Sequence, residues 1–344
     1  PGPRREPISA RFVSPLMRAP WTIALVVAAC TGPERPRETA ASAVPSPAAA
    51  SSTSTPSPEA LRFERLYYPA GSVLFEKKRP ARAGEWLDRF KEKGQSFLKY
   101  QSERPIRPGG ERKVIVLQPL GKLGARDTEL IGKMRQVMTA FFALPVELAP
   151  ALPLPKKGQR KRSEGARSWT QHHTRVLLDE VLAPRLPKQA VVYVGVTLED
   201  LYPEPSWNFV FGQATLEARV GVYSLARFFP EFWGNPRSPQ AMTQAFAKSA
   251  QILVHETGHA FSMEHCTEYE CVMNGSNSLE ELDGQFGELC PVCLRKLAWN
   301  LGFDPEQRYS KLRDLYRREG VTELATWLDG RLTQIRSGTA PAAR

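Results

Sequence analysis

The middle of the chain opens with a regular succession of apolar and amphipathic stretches. Residues 113–120 form a run rich in β-branched side chains and predict a strand, while residues 127–142 have the period of an amphipathic helix. A second, short strand is predicted at residues 146–148. The region therefore begins as a strand, a helix and a strand.

The pattern continues with a second helix, predicted at residues 168–182. The apolar run 190–197 is typical of a strand buried on both faces of a parallel sheet, because it has no polar alternation. Two more strands are predicted near 208–213 and 219–224, and a long helix follows them. Helices and strands in this order predict an α/β fold with a mixed β-sheet.

Both flanks of this region have a weaker pattern. Residues 61–112 are charged and irregular, with one helical stretch around 84–100, and predict an N-terminal extension that covers the main domain. Residues 303–344 contain two helical patterns, at 305–319 and 321–335, with many Arg and Lys side chains. They predict a helical C-terminal extension that ends in a tail.

The beginning of the chain has the character of an export signal. An apolar run at residues 21–29 follows two arginines and ends at Cys30, and it is far shorter than the roughly 20 residues that span a bilayer. The tetrad Val-Ala-Ala-Cys at 27–30 resembles the lipobox of bacterial lipoproteins, which predicts a signal peptide over residues 1–30 and a lipid on Cys30. An ordinary cleaved signal and a buried helix are the alternatives.

Residues 31–60 are rich in Pro, Ala, Ser and Thr and have almost no large apolar side chains. Such a composition cannot pack into a core and predicts a linker that holds a domain away from a membrane. Together with the lipobox, it predicts an exported lipoprotein of the cell envelope, anchored to the membrane with its folded part outside the cytoplasm.

The formal net charge of +11 favours contact with anionic surfaces. The densest cluster of positive charge, residues 156–162, is interpreted as a solvated loop. The alternative is a patch that faces anionic lipid or polysaccharide. No aromatic side chains are interleaved with it for stacking on bases, so no nucleic-acid partner is expected. The adjacent His172 and His173 have no partner motif and are interpreted as surface residues of a helix, and the chain is expected to be a monomer.

The strongest chemical signal is His255-Glu256-Thr257-Gly258-His259, which follows an apolar helical pattern. Residues four apart share a helix face, so His255 and His259 can bind one Zn²⁺ while Glu256 acts as general base toward a water molecule. A third candidate ligand, His265, lies six residues further on. A straight helix would place it about 9 Å along the axis, so the chain must bend before it.

The cysteines add a second pattern, because four of the five lie close together after this motif. They are Cys266, Cys271, Cys290 and Cys293. Two cysteines five residues apart and a Cys-Pro-Val-Cys pair have the spacing of a structural zinc site. In an exported protein disulfides are the competing interpretation.

The elongated histidine motif, the four cysteines and Met273 together resemble the archaemetzincin family of metzincin zinc metallopeptidases. The similarity extends through Asn-Phe-Val-Phe-Gly-Gln at 208–213, Ser-Asn-Ser-Leu-Glu-Glu at 276–281 and Leu-Arg-Lys-Leu at 294–297, and covers residues 113–302. It implies a metzincin-like zincin domain with a twisted mixed sheet, an active-site helix and a Met-turn. It also implies one catalytic and one structural Zn²⁺, a peptide or protein substrate, and Met273 as a hydrophobic support below the ligands.

One position departs from the family pattern. Glycine is usual three residues after the second histidine, where the chain leaves the helix, whereas this chain has Ser262. A left-handed conformation costs serine about 1 kcal/mol or more, which puts the placement of His265 in doubt. A zinc-binding cell-envelope protein without useful turnover is therefore the alternative to a peptidase, and hydrolysis of another bond, such as a cell-wall amide, is a third hypothesis.

Overall fold

A computed structural model describes residues 57–68 and 74–337. The predicted signal peptide, the lipid site at Cys30 and nearly all of the predicted linker lie outside these residues. In the described ranges, no helix combines the length and the apolar character needed to cross a membrane.

The described chain is a mixed α/β structure, as the sequence predicts. Its strands are β1 (Val114–Leu120), β2 (Val146–Leu148), β3 (Gln159–Glu164), β4 (Arg167–His173), β5 (Ala190–Thr197), β6 (Asp200–Tyr202), β7 (Gly212–Ala214) and β8 (Val220–Ser224). Its α-helices are α1 (Pro58–Tyr67), α2 (Trp86–Arg89), α3 (Phe97–Ser102), α4 (Ala125–Phe142), α5 (Pro239–Ala260), α6 (Leu279–Asp283), α7 (Pro291–Leu301), α8 (Pro305–Arg318) and α9 (Thr322–Ser337).

Five strands form the main sheet in the order β2-β1-β5-β8-β7. The first four are parallel, and β7 pairs antiparallel with β8 at the edge. All eight residues of β5 are buried, as expected for a central parallel strand. Because successive side chains point to opposite faces, Ile115 and Leu117 of β1 join one hydrophobic core while Val116 joins the other.

The two faces of the main sheet are covered by different helices. The core that contains Ile115 also contains the buried sides of α4 and α5, and the opposite core contains a π-helix at Val176–Leu182. Helix α5 begins at a capped end, where the Ser238 side chain accepts a hydrogen bond from the Ala241 N–H and Pro239 occupies the first turn. Its C-terminal part approaches the edge strand β7, where Gly212 lies against the Glu256 side chain.

Three expectations for residues 156–182 are wrong. The basic stretch is not a loop throughout, because Gln159–Glu164 pairs antiparallel with Arg167–His173, and only the latter part of the predicted helix is helical. Along the strand Gln159–Glu164, exposed and half-buried residues alternate. The Arg160 guanidinium on this strand donates to the carbonyl oxygens of Trp207 and Asn208 at 2.5 and 3.0 Å. His172 is a buried strand residue rather than a surface helix residue.

The flanking helices also differ in detail from expectation. The stretch 84–100 forms two short helices, α2 and α3, instead of one, with Gly94 at φ 72° between them. The predicted linker extends slightly too far, since α1 already begins at Pro58. The two C-terminal helices are present, and α8 places Arg308 in a fully buried ion pair with Glu288, at 2.9 Å.

Candidate metal centre

The last two turns of α5 bring His255, Glu256 and His259 to one place. The two imidazoles are one helical turn apart, and their Nε2 atoms lie 3.0 Å from each other. Two nitrogens of a tetrahedral zinc ion with bonds of about 2.0–2.1 Å are separated by about 3.3 Å, so the pair is close to ligand spacing. His255 is buried, and His259 is partly exposed.

The helix ends in a reversal that carries the chain toward the third histidine. Ser262 has φ 65°, in the left-handed region, and the Ser262 and Met263 amides donate to the carbonyls of His259 and Gly258 at 2.7 and 3.1 Å. These two bonds are those of a Schellman motif, in which glycine usually occupies the position that Ser262 has here. The expected left-handed conformation is therefore adopted by serine.

The Ser262 side chain takes part in this reversal. Its hydroxyl donates to the Leu216 carbonyl at 2.9 Å and accepts from the Ile106 amide at 3.1 Å. Each bond stabilises the conformation that the backbone alone disfavours. Serine thus offsets part of its strain with contacts that glycine could not make.

His265 completes the group, because one ring nitrogen of each of the three histidines lies within 4.8 Å of the others. His265 is buried, and its Nε2 atom has no hydrogen-bond partner within residues 57–68 and 74–337. The doubt that Ser262 raised about its placement is not borne out by this geometry.

The other nitrogen of each imidazole is held by an acceptor. Nδ1 of His255 donates to the Val272 carbonyl at 2.7 Å, and Nδ1 of His259 donates to the Met263 carbonyl at 2.6 Å. Nδ1 of His265 lies 3.0 Å from the Glu92 carboxylate. A proton on each Nδ1 leaves Nε2 with its lone pair free, which is the tautomer that binds a metal.

Electrostatics favour the neutral, metal-binding form of His255 and His259. Burial, together with the neighbouring His265, lowers the pKa of His255 to about 3, and burial lowers the pKa of His259 well below its usual value. Imidazoles that are already deprotonated at neutral pH, as these two are, can bind a cation without first losing protons.

Glu256 is fully buried, and neither of its carboxylate oxygens has a hydrogen-bond partner among the described residues. Burial raises the pKa of this carboxyl to about 8. Such a group is costly unless a further polar or charged species lies beside it. Gly212 of β7 makes room for it, since a Cβ atom there would lie 2.6 Å from Glu256 Cγ.

Met273 lies under the same helix turn. A Cβ atom on Gly258 would lie 2.6 Å from Met273 Sδ, so the close approach depends on glycine. The Met273 carbonyl accepts a hydrogen bond from the Cys266 amide at 2.7 Å, which ties its turn to the residue after the third histidine.

The four predicted cysteine ligands also converge. Their Sγ atoms all lie within 4.8 Å of one another, all four side chains are buried, and no disulfide joins them. The Cys266 and Cys290 sulfurs are 3.7 Å apart, close to the spacing of about 3.8 Å for two thiolates on a tetrahedral zinc ion and far beyond a disulfide bond. The Cys290 amide donates to Cys271 Sγ at 3.3 Å, while burial raises the pKa of the Cys271 thiol well above its usual value.

Two residues at this site were missed by sequence reasoning. Glu92 and Trp86 both contact His265, the former through its carboxylate and the latter through an edge-to-face ring contact with centroids 4.9 Å apart. Both lie in the irregular extension, where no motif or periodicity marks them. Only their proximity to His265 in the folded chain reveals them.

Comparison with known proteins points to one family. The model of peptidase family M54 matches residues 178–299. The rat (Rattus norvegicus) protein Archaemetzincin-2 is 33% identical over 267 residues, which are 70% of this chain and 74% of the relative. Archaemetzincin from Thermococcus kodakarensis is 41% identical over 112 residues, covering 33% of this chain and 58% of that one.

Among solved structures, the archaemetzincin of Methanopyrus kandleri is 27% identical, with a TM-score of 0.44, and the match covers 57% of this chain and 99% of that one. The family assignment depends on the sequence relatives, whose identity extends over most of their length. The predicted resemblance is thereby confirmed. The chain belongs to the archaemetzincins, the zinc metallopeptidases of peptidase family M54.

Proposed function

We propose that the chain hydrolyses peptide bonds at a zinc ion held by His255, His259 and His265, with Glu256 as general base. One observation carries the proposal: three imidazoles, each held at Nδ1 by an acceptor, converge next to a buried carboxylate that has no hydrogen-bond partner in the part of the chain that the structure describes. This donor set fits a zinc ion with an open position for water or substrate.

A zinc ion at this site would supply Lewis acidity, which makes a water molecule more acidic and polarises a peptide carbonyl group. Glu256 accepts the proton of the attacking water and returns it to the leaving amine, as one carboxylate can serve as base and then as acid. A dication held by the three histidines would favour the ionised form of Glu256 and so oppose the effect of burial on its pKa. The three Nδ1 hydrogen bonds keep the imidazoles in one orientation.

A second zinc ion is proposed for Cys266, Cys271, Cys290 and Cys293, with a structural role. It would join the segment after His265 to the start of α7, since Cys290 is the N-cap residue of this helix and Cys293 lies in its first turn. Met273, which lies between Cys271 and Cys290 in the sequence, would support the histidines from below as the methionine of a Met-turn. The contact of Met273 with Gly258 supports that role.

The expected substrate is a peptide or a protein, and the expected unit is a monomer. The lipobox that ends at Cys30 supports an exported, membrane-anchored lipoprotein whose catalytic domain lies outside the cytoplasm. The alternative of a zinc-binding protein without turnover depended on Ser262. The two hydrogen bonds of its hydroxyl weaken that ground.

Metal stoichiometry and hydrolysis test the proposal together. Elemental analysis of the reduced protein should find two zinc ions, falling to one in His265→Ala and to one in Cys290→Ala. Glu256→Gln should keep both ions and lose about 100-fold or more of peptide hydrolysis, because it lacks the base. A Glu256→Gln variant that cleaves peptides as fast as the wild type would contradict the mechanism.

A further inference from the structure

The extension before the main domain lies along the chain that carries the third histidine. Residues 76–106, the covering segment, contact residues 261–270 from end to end. The contacts are Glu270 N to Glu76 O (2.9 Å), Lys78 N to Glu268 O (3.0 Å), Gln95 Nε2 to Ser262 O (3.1 Å), Lys99 Nζ to Glu264 (2.7 Å), Tyr100 Oη to Phe261 O (2.8 Å) and Ile106 N to Ser262 Oγ (3.1 Å).

In the middle of this contact, the covering segment holds the His265 ring. Both carboxylate oxygens of Glu92 lie within 3.0–3.1 Å of His265 Nδ1, and Trp86 packs its ring edge-to-face against the imidazole. The His265 side chain is 4% exposed and that of Glu92 is 22% exposed. The pair is therefore partly screened from water, and the acceptor stays close to its donor.

The three ligands differ in what orients them. His255 and His259 donate to backbone carbonyls on their own part of the chain, 17 and 4 residues away. His265 lies on the loop after the helix and donates to a side chain 173 residues away in sequence. Its orientation thus depends on the covering segment, whereas that of the other two does not.

We propose that Glu92 is the positioning residue of the third zinc ligand, and that the covering segment is part of the metal site. This inference rests on the proposed metal-binding role of the three histidines. The carboxylate fixes the proton on Nδ1 of His265, aims Nε2 at the metal position and makes the imidazole a stronger donor. Without Glu92, a buried N–H would lose its acceptor and the ring would lose its preferred orientation.

The expected effect is on metal affinity. Loss of a partner that orients a ligand costs typically about 10–100-fold in affinity, so Glu92→Ala should lower zinc affinity at the three-histidine site by about that factor. Glu92→Gln keeps an oxygen that can accept from Nδ1 but has no charge. Its affinity should fall between those of the wild type and Glu92→Ala.

The experiment uses full-length protein with the four-cysteine site left loaded with zinc. The three-histidine site is emptied with a chelator and titrated with Zn²⁺ against a chromophoric competitor, and separately with Co²⁺, whose visible spectrum reports ligand geometry. Asp88→Ala is the matched control, since Asp88 is a carboxylate of the same segment that accepts from the Gly84 amide at 2.8 Å instead. Circular dichroism checks that each variant is folded.

The inference predicts weaker binding and an altered cobalt spectrum for Glu92→Ala, an intermediate result for Glu92→Gln, and wild-type behaviour for Asp88→Ala. Unchanged affinity and an unchanged spectrum in a folded Glu92→Ala or Glu92→Gln variant would overturn it. An equal loss of zinc affinity in Asp88→Ala would also overturn it, because it would show that any change in the covering segment weakens the site. Because the readout is metal binding, a wild type that binds zinc and cleaves no peptide would contradict only the hydrolytic function, whereas one that binds no metal at the histidines would overturn both.

Discussion

Ser262 offers a sharp test of how the active-site helix ends. It occupies a left-handed position, φ 65°, which costs a residue with a Cβ atom about 1–2 kcal/mol. Its hydroxyl also makes two hydrogen bonds, to the Leu216 carbonyl and from the Ile106 amide. The perturbations are Ser262→Ala, which removes the hydroxyl and keeps the strain, and Ser262→Gly, which removes both.

The magnitudes follow from these two terms. Two hydrogen bonds at about 0.5–1.5 kcal/mol each make Ser262→Ala less stable than the wild type by about 1–3 kcal/mol. Glycine loses the same bonds but relieves about 1 kcal/mol of backbone strain. The free energy of unfolding of Ser262→Gly should therefore be about 1 kcal/mol higher than that of Ser262→Ala. The family's usual glycine is thus expected to bring no gain here.

Ala143 provides a control for the backbone term alone. It ends α4 at φ 50° and has no polar side chain, so Ala143→Gly should stabilise the protein by about 1 kcal/mol. Urea midpoints are compared at one fixed zinc concentration, because bound metal shifts apparent stability. The reasoning is refuted if Ser262→Ala is as stable as the wild type, or if Ser262→Gly is the less stable of the two while Ala143→Gly behaves as expected.

Three further variants test other parts of the structure. Gly212→Ala should displace Glu256 and lower kcat for peptide cleavage by about tenfold or more, with zinc content unchanged on elemental analysis. Burial lowers the pKa of His172, so the unfolded chain binds a proton at this residue more readily than the folded chain does. The wild type should therefore lose stability as the pH falls through about 6.5. His172→Gln should show a smaller loss in urea midpoints measured between pH 7 and 5. Arg308→Met leaves Glu288 buried without its partner and should cost about 3–5 kcal/mol by urea denaturation, whereas a cost below 1 kcal/mol would contradict the buried pair.

Much of the candidate site was predictable because its signals are local. The spacing of His255 and His259 depends only on the helical period, and an apolar run such as 190–197 predicts a buried strand from its composition. The cysteine spacing likewise predicts a common site. In each case the interaction that decides the structure acts within a few residues, or within one repeated pattern.

The errors arose where distant parts of the chain decide the conformation. Residues 159–164 form a strand because they pair with β4 and because Arg160 donates to the Asn208 carbonyl. The basic composition of these residues indicates neither interaction. His172 is buried because its strand lies inside the three-stranded sheet formed by β3, β4 and β6. The single helix predicted for 84–100 is two helices in the structure, because that segment packs along residues 261–270.

The sequence by itself determined the α/β class, the active-site helix and the identity of the seven candidate metal ligands, because these depend on periodicity and on spacing along the chain. Tertiary structure alone decided that Ser262 has partners for its hydroxyl and that Glu92 meets His265. Those contacts join residues 46 to 173 positions apart, and no local pattern encodes them. They form only when the helix end, the sheet edge and the N-terminal extension pack against one another and exclude water.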